Sequence, residues 1–188
     1  NIAQSPGRNA TPINALRTGA PEFQPTYSVN ATPSDWTIAI TYVGGGLSTP
    51  SSIAADAAGA VWVTNKGNSS VTKLDNTGTA ISSISGFTAG GFNNPEGIAI
   101  DTSGNAWIAN AGNNTITELN PLGTTGTVYS GNGLSAPGSI AIDGSGNVWV
   151  GNTTGSNTVS AFTNGGAALA DYSGGGSSAP LSIAVTPK

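Results

Sequence analysis

Three acids at matching places carry most of the chemistry this sequence has to offer. Asp56, Asp101 and Asp143 each open a turn, and the last two are followed by hydroxyl and amide side chains, as in Asp101-Thr102-Ser103-Gly104-Asn105. Oxygen donors packed so closely are what Ca²⁺ takes, but a calcium loop needs about six to eight ligands and each turn supplies one carboxylate. The local alternative is that each acid accepts bonds from nearby backbone N–H groups while Gly supplies a positive φ. On that reading the acids serve turns, and neither a metal nor a cofactor is expected. Six residues beyond each acid stands an indole: Trp62, Trp107 and Trp149. Such a ladder is either a stacking platform for sugars or bases, or a set of anchors burying about 150–250 Å² each between adjacent layers. Three residues further come Asn65, Asn110 and Asn152. Their amides either satisfy buried backbone groups or face a ligand. The structural reading is adopted for all three sets.

What the sequence lacks narrows the chemistry further. It has no His and no Cys, which removes the commonest general base, the commonest metal ligand and thiol chemistry. Ser/His/Asp and Cys/His nucleophilic sites need His. The expectation is a chain that is not an enzyme, with a metal-dependent lyase or hydrolase as a minor alternative. Five Lys and Arg stand against nine Asp and Glu, for a net charge of −4. They are scattered, so the clustered bases that displace counterions from nucleic acid are missing. No run of about 18 apolar residues occurs, so no helical membrane insertion is expected. With no Met, residue 1 is not an initiator, and a chain processed or cut from a longer one is expected. Only 7% of residues are charged and Gly, Ser, Thr and Asn abound. Disorder is one reading of that composition. The periodic apolar runs, within 37% apolar residues, favour a β-rich, secreted, extracellular or cell-surface protein instead.

The elements that position these residues recur at a fixed period. Pro50, Pro95, Pro137 and Pro180 head matching segments 45, 42 and 43 residues apart. An aromatic stands eight residues before each Pro: Tyr42, Phe87, Tyr129 and Tyr172. In one unit Ile98-Ala99-Ile100 is a short apolar run, Ala106-Trp107-Ile108-Ala109 a second, and Thr115 to Leu119 alternates polar and apolar as a half-buried strand does. Gly126 to Tyr129 makes the fourth strand. A period near 42 with four short strands selects blades of a β-propeller over a sandwich or barrel.

The stretch from Pro95 to Asn110 resembles the NHL repeat, as does Gly138 to Val150. The resemblance covers about residues 36–188 and implies an all-β propeller fold. Blades are expected at about 44–88, 89–130 and 131–173, with a partial one at 174–188. The first copy is degenerate in its turn (Ala57-Ala58-Gly59-Ala60), and the third carries an extra residue near Thr153-Thr154-Gly155. Enzymes occur among propellers similar to this repeat, virginiamycin B lyase and peptidylglycine amidating lyase among them. Their sites use His, so neither chemistry carries over. The metal site of the regucalcin and gluconolactonase group is not carried over either, because the acids here fall on turns.

The register leaves open edges. Trp36 to Val43 matches a fourth strand and Leu181 to Thr186 a first strand. Three full blades are thus flanked by single strands, whose unpaired groups are templates for strand addition. The residues expected at these assembly edges are Trp36, Ile38, Ile40, Tyr42, Ile183 and Val185. Residues 1–35 hold Pro6, Pro12, Pro21, Pro25 and Pro33 and read as an irregular arm, with one short helix near Pro12 to Arg17. The expected function is a structural repeat protein that self-associates into an oligomer, ring or filament. The alternative is a binding module for a protein or glycan partner, as part of a larger propeller. Asn-x-Ser/Thr sequons at Asn9, Asn30, Asn68, Asn113 and Asn152 are weak indications of glycans.

Overall fold

The computed structural model describes residues 26–29, 38–154, 158–173 and 179–185. The chain divides into two compact units, Asn1–Gly44 and Gly45–Lys188. In the first, β1 (Thr26–Val29) pairs antiparallel with β2 (Ile38–Thr41), Tyr27 lying opposite Ile40. The sequence reads as extended coil at 26–29. The polar–apolar alternation Thr-Tyr-Ser-Val carries a strand there, obscured in the sequence by the flanking prolines. The expected helix near Pro12 lies outside the described residues.

The second unit is three antiparallel meanders. Blade 1 holds β3 (Pro50–Ala55), β4 (Val61–Asn65) and β5 (Ser70–Leu74). Blade 2 holds β6 (Pro95–Ile100), β7 (Ala106–Asn110), β8 (Thr115–Leu119) and β9 (Gly126–Ser130). Blade 3 holds β10 (Pro137–Ile142), β11 (Val148–Asn152), β12 (Val159–Phe162) and β13 (Ala168–Tyr172). The sheets follow chain order, as short turns demand of antiparallel neighbours.

Two details depart from three full blades flanked by single strands. Blade 1 lacks a continuous fourth strand: Ala80 and Phe87 make only isolated bridges to Leu74 and Val71. Between them the chain turns away, with Gly86 N–H bonding Ser83 C=O at 2.9 Å and the Ser82 hydroxyl bonding Gly45 C=O at 2.8 Å. This unit is the longest of the three, and its extra residues fall in that excursion. Leu181 to Val185, expected as a first strand, has no strand geometry. Every inner strand here bonds the second strand of its own blade, and no such neighbour stands beside this segment among the described residues.

Each blade buries one face against the next. Trp62 and Val71 of blade 1 pack with Phe92, Ile98, Ala106, Ile108 and Leu119 of blade 2. Trp107, Ala109 and Ile116 of blade 2 pack with Leu134, Ile140, Val148, Val150 and Phe162 of blade 3. The two sets use opposite faces of blade 2, as period-two alternation requires. A Trp therefore leads from each blade into the Ile of the following one, Ile98 or Ile140. The inner strands β6 and β10 approach closely at Gly97, where a Cβ would meet Gly138 C=O at 3.0 Å and Ser139 Cα at 3.0 Å.

Candidate binding surface of the blades

The acid and the indole of each unit form one device. The turn after the first strand brings Asp back towards the second strand, so one carboxylate oxygen accepts the indole N–H. The Asp–Trp distances are 3.1 Å for Asp56–Trp62, 3.2 Å for Asp101–Trp107 and 3.0 Å for Asp143–Trp149. The other oxygen accepts two backbone N–H groups: Ala58 and Ala60, Ser103 and Asn105, or Ser145 and Asn147, at 2.8–3.0 Å. Sequence reasoning placed both residues but missed the bond. The constant six-residue offset across a hairpin was the signal for it.

The surroundings of these acids differ. Burial pushes the Asp56 carboxyl up, but the Trp62 indole, the Ala60 N–H and the Lys73 ammonium outweigh it and hold the group below its ordinary range. Lys73 lies 3.4 Å from Asp56 and 4.2 Å from the centre of the Trp62 ring. Asp143 is held well below its ordinary range, first by Trp149 and then by the Asn147 amide. The bonds to Asp56 and Asp143 are therefore made to ionised acids.

The three Asn side chains are fully buried. Each amide N–H₂ bridges two hydroxyls on, or for Thr158 just before, the third strand: Asn65 to Ser70 and Thr72, Asn110 to Thr115 and Thr117, Asn152 to Thr158 and Ser160, at 2.9–3.2 Å. Thr72 and Thr117 pass the chain on to Gly45 C=O and Gly90 C=O at 2.7 and 2.8 Å, fixing the Gly-rich crossovers. Asn110 Oδ1 stays without a partner. These amides face the interior, and a glycan on Asn152 is incompatible with its burial.

Two hollows remain. One, of about 310 Å³, lies where the inner strands converge and is lined by Ser51, Ser52, Glu96, Gly97, Ser139 and Ser182, among others. Glu96 is ion-paired with Lys66, and the buried Ser139 hydroxyl has no partner. The other, of about 580 Å³, lies against blade 3 between Asp143, Asn147, Trp149, Ala184 and Val185. No further blade lies against this face among the described residues. Trp62 and Trp107 are fully buried, while Trp149 is half-buried and stacks on Tyr172, itself 53% exposed, with centroids 5.6 Å apart. The matching Tyr129 stacks on Trp107 at 5.5 Å and bonds Glu118 at 2.9 Å. Burial, then Glu118, pushes its hydroxyl up to about 12.

The expected edge residues divide between the two units. Ile38 and Ile40 lie in β2, with Tyr42 just after it. Ile183 is half-buried beside the inner-strand hollow, and Val185 lines the one beside Trp149. Trp36, like the sequons at Asn9 and Asn30, lies outside the described residues. Among the described residues no group of three or more Asp and Glu converges as a metal site. No helix among them is long and apolar enough to cross a membrane.

Residues 92–119 match the family model of the NHL repeat. The fold is an NHL-like β-propeller. A streptogramin B lyase structure is similar over 86% of this chain and 49% of its own, at 21% identity and a TM-score of 0.60. A catalytically inactive virginiamycin B lyase from Staphylococcus aureus, solved with quinupristin, is similar over 79% and 48%, at 16% identity and a TM-score of 0.61. A nidogen/laminin complex gives 73% and 52%, at 18% identity and a TM-score of 0.59. The chain thus spans about half the length of the solved chains it matches. A comparison with curated proteins found no match. These likenesses carry the fold. They also correct the expectation that the chain is not an enzyme: streptogramin B and virginiamycin B lyases are enzymes with this NHL-like architecture, so the missing His does not place the fold outside enzymes.

Proposed function

We propose that the chain is a protein-binding propeller module, acting outside the cell, that assembles with copies of itself through its open blade face. The observation that carries this reading is the contrast among three equivalent indoles. Trp62 and Trp107 are sealed by a following blade, and Trp149 is not. An apolar face whose two sister faces are buried gains free energy when covered, at about 25 cal/mol per Å² of apolar surface removed from water. At the other end, Ile53 of blade 1 is 67% exposed, whereas its counterparts Ile98 and Ile140 are buried against a preceding Trp. Low charge, 7% of residues, leaves little repulsion to keep such faces apart. The nidogen/laminin structure supports protein binding as a use of this architecture. Sedimentation velocity over a wide concentration range tests the reading. Assembly should grow with concentration and weaken little with salt, and one monomeric species throughout contradicts it.

A second reading is favoured by the inner-strand hollow. Its unpartnered Ser139 hydroxyl and the Glu96 carboxylate suit a small polyhydroxylated or cationic ligand. Ligand-detected NMR with Ser139→Ala as the control separates such binding from assembly.

A further inference from the structure

We infer that the inner-strand hollow binds one neutral sugar or cyclitol ring, held by serines that share one position of the repeat. The inference rests on the second reading above and names its ligand class.

The position is the second residue after the Pro that heads each unit: Ser52, Gly97, Ser139 and Ser182. All four line the same hollow of about 310 Å³, and every residue lining it belongs to the Gly45–Lys188 unit. The inner strands share the feature that directs these residues. In β3, β6 and β10 the register with the second strand shifts just after the Pro, between Pro50 and Ser52, Pro95 and Ile98, and Pro137 and Ser139. A bulge leaves a residue out of the ladder and re-aims the side chains beside it. The one unit without a hydroxyl has a steric reason. A Cβ at Gly97 would meet Gly138 C=O, Ser139 Cα and Ile140 N at 3.0–3.1 Å, so a serine has no room there. Serine stands at the other three places.

The walls select the ligand. Ser139 Oγ is buried and has no partner, and a buried hydroxyl left unbonded is unfavourable until a ligand group bonds it. Ser52 is half-buried and Ser182 exposed, so both remain accessible from the hollow. One residue further along, Ile98, Ile140 and Ile183 line it too. Hydroxyls beside apolar side chains match a ring whose rim carries O–H groups and whose faces carry C–H groups. Charge narrows the class further. Glu96 is the one carboxylate lining the hollow among the described residues, and it is ion-paired with Lys66. A cationic ligand has to displace that ammonium. A neutral hydroxyl needs only a free lone pair, and a carboxylate offers about four. The volume lies at the low end of the roughly 300–1,000 Å³ of ligand pockets, which suits a single ring rather than a chain of them.

Saturation-transfer NMR on the full chain tests this. Glucose, galactose, N-acetylglucosamine and myo-inositol are the neutral probes, and putrescine and arginine amide the cationic ones. At least one neutral probe should bind, with an affinity that changes little as salt is raised. Ser52→Ala/Ser182→Ala removes two hydroxyls outside the buried core and should weaken that binding about ten-fold. Ser103→Ala, in the turn beyond the other end of β6, should leave it unchanged. Far-UV circular dichroism checks each fold. If the double variant loses its strand signal, Ser182→Ala alone, at an exposed residue, should still weaken binding several-fold. Binding of the cationic probes with none of the neutral ones overturns the sugar inference and leaves the hollow reading standing. Neutral binding that the serine variants do not weaken overturns the inference as well. No response from any probe overturns both.

Discussion

Replacing Asp101 with alanine removes the acceptor of the Trp107 indole N–H, whose ring is fully buried. An unsatisfied buried donor costs about 1–3 kcal/mol. Two turn amides, of Ser103 and Asn105, lose their side-chain acceptor as well. Asp101→Ala should therefore lower the unfolding free energy by about 1–3 kcal/mol, read as a lower urea midpoint with the slope of the transition unchanged. The same devices set the acid limit. Asp56 and Asp143 sit below their ordinary pKa in the folded chain. A depressed folded pKa means that the native state holds the ionised form more strongly than the unfolded chain does. The stability it contributes is present above the unfolded value of about 3.9 and is lost as pH falls through it towards the folded value. Melting temperature should be flat from pH 7 to 5 and drop below about pH 4. Asp143→Asn should flatten part of that drop. Each acid was legible as a turn residue from the Asp-x-Ser-Gly-Asn pattern. Its bond to the indole was not, because turn chemistry alone accounts for an acid there.

At the scale of elements, the inner strands touch where Gly97 has no side chain. Gly97→Ala puts a methyl 3.0 Å from Gly138 C=O and 3.1 Å from Ile140 N, backbone atoms that give only if β6 and β10 part. Overpacking of this kind costs about 1–3 kcal/mol, and a chemical melt should show it. Gly91→Ala, in an open loop, is a poor control because its φ is +59°. Ser103→Ala, exposed in a turn, is the better one. Elements with regular alternation and a turn at each end, such as β6 to β9, were plain in the sequence. β1 was hidden among prolines, the fourth strand of blade 1 was interrupted by an excursion that the repeat spacing did not reveal, and Leu181–Val185 kept the pattern but has no strand neighbour among the described residues. A strand is a property of a pair, so a pattern without its partner overstates it.

For the whole molecule, the question is what the periodic pattern leaves uncovered. Periodicity gave the blades and their order. It could not show that three identical Trp positions differ in exposure, because exposure depends on what packs over each in the fold. The central claim is that the Trp149 face is the docking face. The direct test is the ¹H–¹⁵N spectrum of the indole groups, assigned by Trp→Phe variants and followed in ²H₂O at increasing protein concentration. The Trp62 and Trp107 signals should exchange slowly and stay fixed, while the Trp149 signal shifts and gains protection as concentration rises. A Trp149 signal that neither moves nor gains protection while the protein assembles would contradict that claim.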